Sequence, residues 1–314
     1  MIKLYIVLPC YNEEAILEQT TALLTAKLES LQKSEKITDT SRIVYVDDGS
    51  KDSTWSLIQK IYAENPWVMG IKLNRNRGHQ NALLCGLMTI REDADAVISM
   101  DADLQDDIDA IDAMLEKYEN GADVVYGVRS ARKSDSFFKR FTAEEYYRIL
   151  NRLGAKVIFN HADFRLMSCR ALEALSEFKE VNVFLRGLVP MVGYQSDIVL
   201  YERKARTAGE SKYPLRKMLH LAWEGITSLS IRPIRLVALA GCLSLVVALG
   251  LIIYSIIRLI LGQTVAGWTS LMVSIWLVGG LQLLAIGIIG EYIGKIYLET
   301  KQRPRYKVED ILKK

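Results

Sequence analysis

Two carboxylates one residue apart, Asp101 and Asp103, close the strand-like run Asp95-Ala-Val-Ile-Ser-Met100, with Gln105 and Asp106 just behind them. Oxygen ligands delivered at the C-terminal end of a strand suit a hard divalent cation that keeps some of its waters and bridges substrate phosphates. An isolated Asp-x-Asp is also the composition of a solvated turn, so the other polar clusters of the chain decide. Three exist: Pro9-Cys-Tyr-Asn-Glu-Glu14, Asp47-Asp-Gly-Ser-Lys-Asp-Ser-Thr54 and Asn74-Arg-Asn-Arg-Gly-His79. Each follows a short β-rich run. The carboxyl ends of parallel strands share one edge of a sheet, so all four clusters should meet in one cleft.

The elements that would position them alternate. Strand patterns cover residues 3–8, 42–46, 68–73, 96–100 and 123–127, and helical spacing covers 13–31, 54–64, 80–91 and 109–119. This alternation predicts an α/β domain, a Rossmann-like and mainly parallel sheet with crossover helices on both faces. Residues 131–160 mix Phe137, Phe138, Phe141, Tyr146 and Tyr147 with Lys and Arg, which suits either a helix at a membrane surface or core packing. Over 211–230, Leu215, Met218, Leu219, Ala222, Trp223 and Ile226 share one helical face, as an interfacial amphipathic helix requires.

The chain has 314 residues, half of them hydrophobic and a quarter charged. Residues 236–257 carry no charge and exceed the roughly 20 residues that a helix needs to cross a bilayer. A second uncharged run follows over 268–290. Basic residues crowd the approach to the first run (Arg203 to Arg235) and the exit from the second (Lys301 to Lys314), whereas the link holds Arg258 alone. The positive-inside rule then predicts a plasma (inner) membrane protein with two spans and both termini cytoplasmic. The expected division is a catalytic domain over 1–210, interfacial helices over 211–232, two spans over 233–290 and a cytoplasmic tail over 291–314. Residues 1–9 are too short an apolar stretch for a signal peptide. Four scattered cysteines without metal spacing fit reduced thiols. The net charge of +3 matters less than the clustering of its basic residues, and no nucleic-acid partner is expected.

The four ordered motifs, Val7-Leu-Pro-Cys-Tyr-Asn-Glu-Glu14, Val46-Asp-Asp-Gly-Ser-Lys-Asp-Ser-Thr54, Asn74-Arg-Asn-Arg-Gly-His-Gln-Asn-Ala-Leu83 and Met100-Asp-Ala-Asp-Leu-Gln-Asp106, resemble those of family 2 glycosyltransferases with the GT-A fold. Within that family, Ala162-Asp-Phe-Arg-Leu-Met167 and Arg206-Thr-Ala-Gly-Glu-Ser-Lys-Tyr213, followed by two spans, are similar to the polyprenyl-phosphate glycosyltransferases, the bactoprenol glucosyltransferase and dolichol-phosphate mannose synthase group. The resemblance covers nearly the whole chain. It implies that Asp101 contacts the nucleotide side and that Asp101, Asp103 and Gln105 hold Mg²⁺ or Mn²⁺. It also implies that Asp47 and Asp48 hold base and ribose, opposite a wall of Pro9, Tyr11 and Glu13. Asp47 could equally cap the turn before Gly49, and Tyr11 could simply pack. Gly78 would allow close backbone approach. His79 stands where many relatives carry Lys, and a neutral imidazole there could also pack.

Asp163 is placed by the same resemblance beside the acceptor, as a general base, with a salt bridge to Arg165 as the alternative. A phosphate monoester has its second pKa near 6, so most of the acceptor is already nucleophilic at neutral pH and Asp163 could orient rather than deprotonate. Donor diphosphate and acceptor phosphate are both anions, and the cations expected between them are Arg129, Arg165, Arg206, Ser211 with its hydroxyl, and Lys212. Arg206 and Lys212 could instead face anionic lipid. The expectation is an inverting, metal-dependent transfer of a hexose from a nucleotide sugar, most simply UDP-glucose, to polyprenyl (undecaprenyl) phosphate. The implied partners are that donor, the lipid phosphate, the bilayer and other copies of the chain, since relatives of this type form tetramers. A processive polysaccharide synthase would share the nucleotide motifs, but no Gln-x-x-Arg-Trp motif occurs and two spans are few for a conduit. A non-catalytic nucleotide-sugar-binding scaffold would have no use for the full set of carboxylates.

Overall fold

The structure, a computed structural model, describes residues 1–130, 161–202, 227, 230–261 and 267–313. The aromatic stretch 131–160, nearly all of the expected interfacial helix, and Arg206, Ser211 and Lys212 lie outside the described residues.

β1 (Leu4–Cys10) is buried on both sides, as an inner parallel strand must be. Its alternate residues divide two cores. Leu4, Ile6 and Leu8 face one layer with Leu24 and Leu28 of α1 (Leu17–Lys33), Ile58 of α2 (Thr54–Glu64), and Ile111 and Met114 of α4 (Ala110–Glu119). Tyr5 and Val7 face the other layer, made by Leu83 and Leu87 of α3 (His79–Ile90), Leu172 of α5 (Cys169–Ser176) and Leu188 of α6 (Leu185–Met191). The two-residue period of the strand thus produces the three-layer α/β architecture.

β1 pairs in parallel with β2 (Arg42–Asp47) on one side and with β4 (Ala96–Ser99) on the other, and β2 pairs in parallel with β3 (Val68–Leu73). The chain order therefore reverses between β1 and β4, where open α/β sheets bind ligands. Beyond β4 the parallel run expected from sequence stops. β6 (His161–Ser168) inserts antiparallel between β4 and β5 (Val124–Arg129), and β7 (Ser196–Tyr201) completes that edge parallel to β5. The result is the mixed GT-A sheet with helices on both faces, in the strand order 7-5-6-4-1-2-3-8. α1 begins at Leu17, four residues later than its spacing suggests. The backbone N–H groups of Glu13 and Glu14 are held by Thr54 Oγ1 and Asp52 Oδ2, which keeps the first motif out of the helix.

The expected C-terminal tail is an edge strand. β8 (Val308–Leu312) pairs antiparallel with β3, Lys72 meets Glu309 at 2.9 Å, and Lys313 meets Asp93 at 2.6 Å. The chain forms two compact units, and Arg303–Lys314 belongs with the sheet. The other unit holds α7 (Arg232–Ile260) and α8 (Trp268–Lys301), helices of 29 and 34 residues. At 1.5 Å per residue these reach about 44 and 51 Å, against about 30 Å of bilayer hydrocarbon. Both are long and apolar enough to cross a membrane, and their apolar side chains, such as Leu243, Val246, Leu283 and Ile286, are exposed. The second helix continues past the expected end at 290, through Glu291, Lys295 and Glu299. Within this unit Tyr292 donates to the Ser230 carbonyl at 2.6 Å and Lys295 donates to Thr227 Oγ1 at 2.5 Å, so the start of α7 lies beside the C-terminal part of α8.

Candidate active site

The loops after β1 and β2 are woven together by side chains bonding to backbone. Asn12 N–H donates to Ser50 Oγ, Lys51 N–H to Asn12 Oδ1 and Ser53 N–H to Glu14 Oε2. Gly49, at φ 67°, is pressed so tightly on the third loop that a Cβ would stand 2.6 Å from the Arg75 carbonyl carbon. Asp48 extends the weave, its two oxygens accepting from Arg77 N–H at 2.6 Å and Gly78 N–H at 2.9 Å. Gly78 has φ 86°, and a Cβ there would meet nothing within 4 Å, so the left-handed backbone, not crowding from the protein, demands glycine.

Asp47 is fully buried at the end of β2 and caps the turn by accepting from Ser50 N–H at 3.2 Å, while its Oδ2 has no hydrogen-bond partner. Burial raises the carboxyl of both Asp47 and Asp48 above the usual range, against the backbone bonds that lower it. Pro9 is buried within β1 opposite Val46, Tyr11 is exposed, and Glu13 is partly so.

β6 brings the second half of the cleft. Its register sets Arg165 across from Ser99, so Asp163 lies two residues further along β6, on the side where β4 runs on into the Asp101 loop. The Ser99 hydroxyl donates to the Asp163 carbonyl at 2.5 Å and fixes that crossing. His79, at the first turn of α3, stands between the two carboxylates, with Nε2 3.7 Å from Asp101 Oδ1 and 3.5 Å from Asp163 Oδ2. The imidazole therefore bridges the strands instead of packing. Burial lowers its pKa, and Asp163 and Asp101 outweigh burial to raise it.

Asp101 keeps 32% of its side chain exposed, yet burial and the neighbouring carboxylates Asp106, Asp163 and Asp103, against the lowering effect of His79, push it up to about 6. Asp103 Oδ1 accepts from Gln105 N–H at 3.2 Å, and the Gln105 side chain is buried. Among the described residues no group of three His, Cys, Asp or Glu side chains is arranged to hold a metal alone. A crowded carboxylate set of this kind still fits a divalent cation completed by substrate phosphates, since such ions use one or two protein carboxylates.

Asp163 is 4% exposed and its carboxylate is saturated. Arg165 donates to Oδ1 at 2.7 Å, and Arg186 of α6 donates to Oδ1 at 3.3 Å and to Oδ2 at 3.0 Å. Burial would raise its pKa, but Arg186, His79 and Arg165 hold it well below the carboxylate range. Arg165, expected among the acceptor ligands, is 1% exposed and is given to Asp163 and the Leu185 carbonyl. Arg129 Nε donates to Tyr201 Oη at 3.2 Å, and Tyr201 in turn donates to the buried Asp106 at 2.6 Å. Arg186 escaped sequence reasoning because it lies 23 residues from Asp163 on a short helix with no pattern of its own.

Residues 5–176 match the family model for glycosyl transferase family 2. The chain is 52% identical over 310 residues to YkoT, an uncharacterized glycosyltransferase of Bacillus subtilis (strain 168), covering 98% of this chain and 91% of that protein. It is 40% identical over 312 residues to the bactoprenol glucosyl transferase of Shigella phage SfX, covering 98% and 99%. Glucosyl-3-phosphoglycerate synthase from Mycobacterium tuberculosis, solved with Mn²⁺, UDP-glucose and phosphoglyceric acid, is 16% identical with a TM-score of 0.46, over 73% of this chain and 78% of that one.

Proposed function

For a chain that belongs to glycosyl transferase family 2, we propose a transfer of glucose from UDP-glucose to a polyprenyl phosphate at the cytoplasmic face of a membrane. The carrying observation is that Asp101, just past β4, and Asp163, on the antiparallel β6, lie 3.7 and 3.5 Å from His79 Nε2, the first in a nucleotide motif and the second paired with Arg165 and Arg186. The likeness to bactoprenol glucosyl transferases over almost the full chain supports the acceptor class.

Asp47, whose Oδ2 has no partner, would take the base or ribose, with the exposed Tyr11 and the partly exposed Glu13 in the loop that follows the neighbouring β1. The cradle of Gly78, whose N–H is already fixed by Asp48, lets the donor approach the backbone closely. Asp101 and Asp103, with Gln105 behind them, would hold Mg²⁺ or Mn²⁺. Such an ion neutralises charge that builds on the departing diphosphate. The acceptor phosphate oxygen attacks the anomeric carbon as the bond to the nucleotide diphosphate breaks, which inverts that centre. No residue needs to remove a proton from a phosphate that is mostly dianionic at neutral pH.

Connectivity supports this orientation: strands of one sheet come from before α7 and, as β8, from after α8, as expected where two spans return the chain to the side it left. Arg232, Arg235, Lys301, Arg303 and Arg305 at those ends support assigning that side to the cytoplasm by the positive-inside rule.

The test incubates the full-length chain in membranes with undecaprenyl phosphate and a panel of UDP- and GDP-sugars, with Mg²⁺ or Mn²⁺ and then with chelator. A single-sugar lipid extractable into organic solvent, formed from UDP-glucose and abolished by chelation, is expected. A water-soluble polymer would identify a processive synthase, and donor binding without turnover a scaffold.

A further inference from the structure

We propose that Tyr201 and Asp106 act as one positioning unit that sets the cation-binding shape of the loop 101–105. The inference rests on the reading above that Asp101 and Asp103 hold a divalent ion.

The backbone of that loop is strained. Leu104 stands at φ 55°, in the left-handed region that residues with a Cβ rarely adopt. Such a conformation persists only where the surroundings impose it. Here they do so from both ends. Before Leu104, the buried Ala102 offers its carbonyl to Thr20 Oγ1 of α1, which donates at 3.0 Å. Past it, the chain runs straight into Asp106, which is 2% exposed. Within the turn Asp103 Oδ1 accepts from Gln105 N–H, so one carboxylate expected at the ion already depends on the path of the backbone around Leu104.

Asp106 is held in turn by a residue that has little freedom of its own. Tyr201 Oη donates to Asp106 Oδ1 at 2.6 Å, and Arg129 Nε donates to the same Oη at 3.2 Å. The Tyr201 carbonyl accepts from Ser130 N–H at 2.9 Å and from Ser130 Oγ at 3.0 Å. Its ring meets the Phe164 ring edge-on, with 5.2 Å between centroids and 87° between planes. Phe164 lies between Asp163 and Arg165 on β6. The far end of the loop is therefore clamped to β5, β6 and β7, strands that carry none of the four nucleotide motifs.

The clamp is costly as structure alone. Asp106 Oδ2 is buried with no hydrogen-bond partner among the described residues, and a half-bonded buried carboxylate opposes folding. An asparagine could accept from the same tyrosine at a smaller desolvation cost. Strained backbone and unsatisfied buried groups concentrate at functional sites, and here both fall in the stretch from Leu104 to Asp106. Outer partners of this kind orient the ligands of a metal.

Binding of the ion itself gives the test. The full-length chain in detergent, with UDP present, is titrated with Mn²⁺, and free Mn²⁺ is followed by electron paramagnetic resonance. Tyr201→Phe, which keeps the ring and removes only the hydroxyl, should weaken Mn²⁺ binding by roughly tenfold or more, the scale of a lost outer partner of a metal ligand. Asp106→Ala should do at least as much, and Asp106→Asn less, because its amide oxygen still accepts from Tyr201. The double variant of Tyr201→Phe with Asp106→Ala should be little worse than Asp106→Ala alone, the mark of two residues acting as one unit. A purely structural role predicts lower melting temperatures with unchanged Mn²⁺ affinity. A purely electrostatic role predicts that Asp106→Asn weakens the ion and Tyr201→Phe does not. Either result overturns the proposal. If Asp106→Ala does not fold, Tyr201→Phe and Asp106→Asn decide between these outcomes. Should the wild-type chain with UDP bind no Mn²⁺, the reading of the cation site itself fails; if it binds and Tyr201→Phe matches it, only this inference fails.

Discussion

On the β2 side of the cleft Asp48 accepts from two backbone amides and Asp47 from one, whereas on the β6 side Asp163 is engaged by two guanidinium groups and an imidazole. Amides are neutral, so the first half fixes its loops and keeps its negative charge. Guanidinium groups are cationic, so the second half compensates its buried carboxylate. Under the proposed function, an anionic diphosphate would meet the carboxylates Asp101 and Asp103 only with an added cation between them.

The comparison breaks most readily at Asp163. Asp163→Ala should strip a buried counter-charge from Arg165 and lower stability by about 3–5 kcal/mol, the cost of breaking a buried pair from one side, read by thermal or denaturant unfolding of the purified chain. A loss below that of Asp48→Ala would show that the second half is not held by charge. Next comes Asp101→Ala, expected to slow transfer by about 10²–10³-fold, as for other lost electrostatic contributions to a transition state, while the KM for undecaprenyl phosphate changes little. A defect confined to the acceptor would reverse the assignment of the halves.

Asp48→Ala removes the acceptor of two amides and should cost about 1–3 kcal/mol, with a raised KM for UDP-glucose as the third loop loosens. The smallest effect is in pH. Asp163 has its native pKa held down, so its stabilisation is complete above the unfolded carboxylate value of about 3.9 and disappears as pH falls through the native one. Asp47 and Asp48, raised by burial, act with the opposite sign: their contribution favours the native state at low pH and is lost as pH rises through their native values. Melting temperatures from pH 6 to pH 3 should therefore fall less steeply in Asp163→Asn than in wild type, and parallel curves would remove Asp163 from the account.

The same division explains what could be read from sequence. α2 and β3 occur where their patterns put them, and the four motifs do line one sheet edge, because each sits within a few residues of the strand that carries it. β6 did not show itself as a strand: His161-Ala-Asp-Phe-Arg-Leu-Met-Ser168 alternates charge with apolar residues but faces Ser99 and Tyr126 across long loops. Arg186 and β8 were hidden for the same reason, since their partners lie 23 and more than 230 residues away. Local chemistry announces itself in a short window, and long-range pairing does not.

β8 has a consequence for how the chain is made. The strand that covers the open edge of β3 lies after both long helices, so it is synthesised after them. Until then the nascent catalytic domain carries a raw strand edge of the kind that recruits foreign strands. Lys72, which later meets Glu309, lies on that edge and its charge discourages such pairing in the interval. A chain that stops within α7 or α8 therefore leaves the β3 edge uncovered, and the sheet is completed only in a chain that has both long helices.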